Sequence, residues 1–279
     1  MKILKANYPQ IHDHVPTEDV IINGLLENKD AIPNEYTLVV CNWAKCINAL
    51  GLELTQKKLF EVQNTILSSG LALNKTIFVC QHILGESLEW NSSLVFSPHA
   101  TEGNKFIPIP HLAVNCVKSS RNKDLLASFM GSFSTHWTRK VLNSLNSSRF
   151  KVVDSGKWYY ENPDFNRGEK YRDLMAVSKF SLCPRGTGPS TIRIWESLAS
   201  GSIPVIYSDQ LIMPDIPGFN WNDIAVFIPE WLTLGSLEIL DGYSFEKINK
   251  MSKQGKLAYS KYCTDKNMWK LILHYLIKE

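Results

Sequence analysis

Residues 180–208, FSLCPRGTGPSTIRIWESLASGSIPVIYS, decide the fold. The apolar run ending at Cys183 reads as a strand, and residues 184–189 form a loop with two glycines and Arg185. Ser190 or Thr191 stands where a helix N-cap belongs, and Gly201 where the C-terminal cap of that helix belongs. Residues 203–207 read as the next strand. Strand, tight loop, helix and strand in this order form one unit of a parallel sheet with a right-handed crossover. Open α/β sheets bind ligands at the carboxyl ends of their strands, which is where this loop lies. Its glycines let backbone N–H groups and a helix N-terminus come close to an anion. Helical spacing sends Ile192, Trp195 and Ala199 toward the sheet and puts Arg193 and Glu196 together on another face. An arginine in the first turn suits a diphosphate, because its planar fork binds two oxygens. A carboxylate one turn later suits the hydroxyls of a ribose or sugar. The competing reading of the pair is an exposed helical ion pair, worth about 0.3–0.5 kcal/mol.

Working outward, residues 125–131 and 150–153 read as strands. Residues 135–145 read as a helix with Trp137, Val141 and Leu145 on one face, and residues 171–178 as another. Toward the N-terminus, strands are expected at 3–8, 37–41, 76–81, 94–97 and 106–110. A helix is expected over 53–68 through Leu54, Leu59, Val62 and Ile66. Residues 267–277 form an amphipathic helix carrying Trp269, Ile272, Leu273 and Leu276. The polar stretch 118–124 divides the chain into two α/β domains, 1–120 and 121–279. The last helix is placed to pack back on the first domain, and a cleft is expected between the two.

The bulk properties fit this reading. The chain has 279 residues, 44% hydrophobic and 20% charged, which is a globular composition. A net charge of +3 is too small to indicate nucleic-acid binding. Apolar runs are strand-sized, so no membrane span is expected. MKILKANYPQ lacks an apolar h-region, so neither a secretion signal nor an anchor is expected. The six cysteines are scattered, and most read as small core residues in a reducing compartment. Sequons at Asn74, Asn91 and Asn146 carry little meaning without a signal peptide.

Several chemistries drop out. No Lys follows Gly188, so there is no P-loop. Gly186-Thr187-Gly188 leads to Thr191, where a dinucleotide fingerprint needs a third glycine. Pro189 stands where a cysteine-dependent phosphatase needs arginine. There is no H-E-x-x-H, and no D-x-D to hold a diphosphate through a divalent metal, so no metal is expected. The positive charge must then come from arginines and helix dipoles.

Residues 171–230, with C-P-R-G, S-x-x-R-x-x-E, G-x-I-P-V-I-x-S-D and V-F-I-P-E in that order, closely resemble the exostosin-like glycosyltransferases of family 47. FMGSFSTHWTR at 129–139, FVCQH at 78–82 and FIPIP at 106–110 extend the resemblance to about two-thirds of the chain. The resemblance implies a GT-B fold, with two Rossmann-like α/β domains facing across a cleft, and a UDP-sugar donor transferred with inversion to a glycan acceptor. It gives Arg139, Arg185 and Arg193 the diphosphate, Glu196 the ribose, and Gly131 and Ser132 a backbone approach to the donor. Ser190 and Thr191 complete the expected donor site. Family members are usually Golgi-anchored, and this chain is more similar to the compact, anchor-less versions of bacteria or of large algal DNA viruses. A cytoplasmic xylosyltransferase, in the host cytoplasm if virus-encoded, is the leading expectation.

Inversion needs a base for the acceptor hydroxyl. His82 follows the strand 76–81, but Ile83 replaces the Asp that family members often carry beside it. Asp13, between His12 and His14, is the other candidate and is preferred because it needs no partner. His99, His111, His136 and His274 lack metal-like spacing. Trp43, Trp90, Trp158 and Tyr159 are candidates either for stacking on an acceptor sugar or for the core. The alternatives are a non-catalytic glycan- or nucleotide-binding protein of the same fold, and a histidine-dependent phosphate-ester hydrolase.

Overall fold

The structure, a computed structural model, describes residues 1–9, 16–117, 121–156 and 165–278. The chain divides into two compact units. Unit 1 comprises Met1–Leu112, Leu211–Asp215 and Thr264–Glu279, and unit 2 comprises Ala113–Gln210 and Ile216–Cys263. Unit 2 thus begins earlier than the polar stretch at 118–124. The reason is hydrogen bonding: the Asn115 and Val117 amides donate to side chains of the helix that follows Ile192.

In unit 1, strands β1 (Lys2–Lys5), β2 (Thr37–Val40), β3 (Thr76–Val79), β4 (Leu94–Ser97) and β5 (Ile107–Pro108) form a parallel sheet in that spatial order. Side chains alternate across it. Val39, Phe78 and Val95 pack with α2 (Trp43–Ser68), whereas Leu38, Ile77, Val79 and Phe96 pack with α1 (Pro16–Glu27). Gly51 (φ 75°) breaks α2, so the helix expected from residue 53 is the longer limb of a kinked element. The chain's last helix, α8 (Trp269–Lys278), joins α1 in this core through Ile272 and Leu276. Trp43 and Trp90 are core residues, their rings 5.5 Å apart. Trp158 and Tyr159 lie outside the described residues.

In unit 2, β6 (Leu125–Gly131), β7 (Phe150–Asp154), β8 (Ser178–Pro184), β9 (Ile203–Tyr207) and β10 (Val226–Phe227) form a parallel sheet ordered β10-β9-β8-β6-β7. Phe129, Phe180, Leu182, Val205 and Tyr207 build its core with Leu142 of α3 (Trp137–Leu142), Leu240 of α6 (Ser236–Asp241), and Ile248 and Met251 of α7 (Phe245–Ala258). Small polar residues meet α4 (Phe165–Ala176): the Ser178 hydroxyl bonds to Ser128 at 2.7 Å and to the Leu174 carbonyl at 2.6 Å. Trp137 does not face the core as its spacing suggested; it is 48% exposed, and Thr138 and Leu142 are the buried residues of α3.

The helix α5 (Arg193–Ser200) begins later than expected and is capped at Gly201 in the left-handed region (φ 67°). It is buried on nearly every side, not on one stripe. Trp195 packs edge-on to Trp221 at 5.7 Å, and a Cβ on Gly255 of α7 would meet Leu198 at 2.9 Å. None of the six cysteines forms a disulfide, and all but the half-buried Cys116 are buried. Among the described residues, no helix is long and apolar enough to cross a membrane.

Candidate functional site

The strand order of unit 1 follows the chain without reversal, whereas that of unit 2 reverses about β6: β7 lies on one side and β8 on the other. Loops leaving two strands at such a switch point diverge and open a crevice at their carboxyl ends. The loops after Gly131 and after Pro184 border this crevice, and most of the expected donor residues stand on them or on the helices they lead into.

The three arginines behave differently. Arg139 ties the two loops together: Nη1 donates to the Ser132 carbonyl (3.1 Å), Nε to that of Arg185 (2.9 Å) and Nη2 to that of Pro184 (3.3 Å). Burial and the Arg193 charge lower its pKa to about 10, leaving it cationic at neutral pH. It brings charge to the crevice, yet each of its three nitrogens already donates to a backbone carbonyl, so it positions the loops. Arg193, 9% exposed, lies between two aromatic faces, its guanidinium carbon 4.5 Å from the Phe129 centroid and 4.7 Å from that of Tyr171. One N–H donates to the Met130 carbonyl. A Cβ on Gly131 would stand 2.9 Å from the Phe129 ring and 3.2 Å from Nη2 of Arg193. The bare backbone there makes room for the arginine sandwich.

Arg185 is loosely held. Its nearest acceptors are Gln210 Oε1 and the Thr187 carbonyl, both at 3.5 Å, with Glu230 at 3.9 Å. Its Nε is buried and lacks a partner among the described residues. Buried donors are almost always satisfied, so an unpartnered guanidinium N–H beside a crevice is a place for a ligand acceptor.

Neither Ser190 nor Thr191 caps α5: the residue before the helix is Ile192, with helical backbone angles and no side-chain cap. Among the described residues, no acceptor takes the amides of 190–193. These free donors, the positive end of the helix dipole and Arg185 form one anion-receptive edge. The Ser132 hydroxyl bonds to that of Ser134 at 2.8 Å, and its carbonyl is held by Arg139, so Ser132 supports the loop from within.

Glu196 is 1% exposed and does not pair with Arg193, so the exposed ion-pair reading fails. Its Oε1 accepts from the Asn115 amide (2.8 Å) and its Oε2 from the Tyr171 hydroxyl (2.5 Å). The carboxylate fixes the tyrosine that covers Arg193. A ribose would have to displace one of these donors. Tyr171 and Asn115 had no assigned role in the sequence, because each meets Glu196 across a long separation along the chain. Glu230 and His136 were also missed. The Glu230 amide donates to Asp209 Oδ1 (3.0 Å) and the Asp209 amide to Glu230 Oε1 (3.3 Å), while Glu230 Oε2 stands 3.7 Å from His136 Nε2. Burial, with Arg185 and Arg139 nearby, lowers the His136 pKa against the pull of Glu230.

Of the base candidates, Asp13 lies outside the described residues. His82 caps the short turn after it: Nδ1 accepts from the Leu84 amide (3.0 Å), so Nε2 carries the proton and donates to Asn48 Oδ1 (3.0 Å). Burial lowers its pKa, and neither nitrogen is a free acceptor. Unit 1 instead contains an unforeseen carboxyl, Glu18, fully buried and accepting from the amides of Gln81 (2.8 Å) and Ala44 (3.1 Å). Burial raises its pKa to about 8 against these bonds. Nothing in the run PTED marks it, since burial of its side chain is a tertiary fact.

A cavity of about 480 Å³ in unit 2 is lined by residues of 114–117 and 169–176 with Arg121, and none of the arginines of the crevice reaches it.

A family model described as the exostosin GT47 domain matches residues 73–241. An exostosin-1 homolog of Caenorhabditis elegans is 29% identical over 122 residues, 44% of this chain and 32% of its own length. A protein of Arabidopsis thaliana described as probable beta-1,4-xylosyltransferase IRX10L is 34% identical over 76 residues, 26% of this chain and 18% of its own. The matched stretches span less than a third of these relatives. Among solved structures, the apo lipopolysaccharide outer core galactosyltransferase WaaB aligns over 100% of this chain and 99% of its own, with a TM-score of 0.50 and 11% identity. With two parallel-sheet α/β units, that likeness shows a GT-B fold.

Proposed function

Because the chain belongs to the exostosin GT47 glycosyltransferase family, we propose that it is an inverting transferase moving a sugar from a UDP-sugar to a hydroxyl of a glycan acceptor. The observation that carries this reading is the edge at 185–193, where a buried, unpartnered Arg185 N–H stands beside the free amides of a helix N-terminus. Such an edge receives a diphosphate without a metal, by charge and by donors already in place. In the reaction, the acceptor oxygen attacks the anomeric carbon and its proton passes to a base. The bond from that carbon to the β-phosphate oxygen breaks, and UDP departs with the electron pair. Arg185, Arg193 and the amides of 190–193 stabilise the charge on the departing diphosphate.

Asp13 or His82 takes the proton in this proposal, His82 only after Leu84 releases its lone pair. Xylose is the donor sugar we favour, in keeping with the probable xylosyltransferase of Arabidopsis among the relatives. We place the protein in the cytoplasm, which its unpaired cysteines support. A second reading, a glycan- or nucleotide-binding protein without turnover, is favoured by one observation: both His82 nitrogens are engaged.

The test is thermal stability with UDP, GDP, CMP and ADP, each with and without EDTA. A nucleotide at about 100 times its Kd adds roughly 2.7 kcal/mol of stability. The expected outcome is a rise with UDP alone, insensitive to EDTA and lost in Arg185→Ala and Arg193→Ala. Transfer from UDP-xylose in Asp13→Ala and His82→Ala then separates the two readings. Stabilisation by no nucleotide would sink the assignment of the edge.

A further inference from the structure

We propose that unit 2 carries a second binding site, for a dianionic tetrahedral oxyanion, at the amino ends of its strands. It lies at the opposite edge of the sheet from the crevice, roughly 20 Å away by the length of β8. A cavity of about 240 Å³ opens there. Lys123, two residues before β6, Lys179, the second residue of β8, and Arg121 line it. Asn122, Asn249 and Ser252 add neutral polar groups, and among the described residues no carboxylate lines it. A fourth cation, Lys256, lays its stem across Gly201 on the cavity wall, its Cδ 2.9 Å from where a Cβ would stand.

The bland explanation is that these cations complement helix C-termini. In part they do: Lys123 Nζ donates to the Met175 carbonyl in the last turn of α4 at 3.4 Å, and the C-cap of α5 is Gly201 itself. Arg121 also pairs with Asp173 at 2.9 Å. Yet two helix termini supply only about half a negative charge each. Set against four cations and one carboxylate, they leave a surplus near two positive charges. Asp124 and Glu246, the acids adjoining the cavity in sequence, are exposed and pair with none of these cations. Burial and the charge of Lys256 lower the Lys123 pKa to about 8, as expected for cations gathered without their counter-ion. A phosphate or sulfate group matches this surplus and can accept from several donors at once. Phe245, on the cavity wall and 68% exposed, gives a carrier sugar an apolar face to rest on, so the group is either free or borne on a phosphate monoester.

This site does not depend on the nucleotide reading, and its test is separable from it. Inorganic phosphate, sulfate and glucose 1-phosphate are titrated calorimetrically at constant ionic strength held with chloride, with and without UDP. Expected are binding unaffected by UDP or by Arg193→Ala, and a loss of about tenfold or more in affinity in Lys123→Gln and in Lys179→Gln. Lys179 is half-exposed and its side chain makes no hydrogen bond among the described residues, so its variant remains readable if the other fails to fold. Tighter binding of glucose 1-phosphate identifies a monoester site, and equal or weaker binding a free-ion site. A response to chloride equal to that to phosphate, unchanged affinity in Lys179→Gln, or competition by UDP would each overturn the proposal.

Discussion

At the residue scale, the proposed donor edge rests on one unit in which Tyr171 is central. Its ring covers one face of Arg193, and its hydroxyl is tied to Glu196. Burial holds that hydroxyl far above its ordinary pKa, so it stays a donor. Tyr171→Phe keeps the ring but leaves Glu196 with the Asn115 amide alone, a loss of about 1–3 kcal/mol for a buried carboxylate short of a partner. The expected result is lower stability, weaker UDP binding and a raised KM with kcat nearly kept, since the ring still covers Arg193. Equal UDP affinity in wild type and variant would remove Tyr171 from the positioning of Arg193. Spacing and the resemblance pointed to the arginines and Glu196 but could not separate their surroundings: an arginine bonded to three carbonyls and one with an unpartnered N–H look the same in sequence.

At the element scale, α5 holds the edge in place and is itself held by α7. Gly255 of α7 lies against Leu198, and an added Cβ would come within 2.9 Å of it. Gly255→Ala gains up to about 1 kcal/mol of helix propensity. Against this stands overpacking of a buried contact, typically 1–3 kcal/mol. Leu198 is 1% exposed and has little room to yield. A net loss of about 1 kcal/mol is expected, read as a melting temperature lower by a few degrees, with weakened UDP binding as α5 shifts. Both α1 and α7 escaped the sequence reading; in α7 the apolar positions are sparse among polar residues. The strands of unit 2 were legible almost to the residue, since a parallel sheet covered on both faces demands continuous apolar runs.

At the scale of the whole molecule, buried titratable groups set a pH dependence. Glu18 holds its proton up to about pH 8 when folded and releases it near 4.5 when unfolded. Between these values the native state binds the extra proton, so stability declines as pH rises, by at most about 1.4 kcal/mol per unit. His82, His111 and His136 have lowered pKa values and oppose this only as pH falls below about 6.5. Lys123 acts only above about pH 8. From pH 6.5 to 8 the decline therefore belongs to Glu18, and urea melts across that window should show it flattened in Glu18→Gln. An unaltered slope in the variant would mean that its carboxyl is ionised throughout.

Legible along the chain were the parallel α/β architecture, the glycine-rich loop and the helix with its Gly201 cap. These depend on period, turn chemistry and spacing, which are local. Only the tertiary structure decided that Arg139 holds the loops while Arg185 stays open, that Gly131 is bare to admit Arg193, and that Glu196 is engaged by a tyrosine and a distant amide. Those outcomes depend on which groups meet across separate elements and on how much water they lose, and neither is encoded in the order of neighbours along the chain.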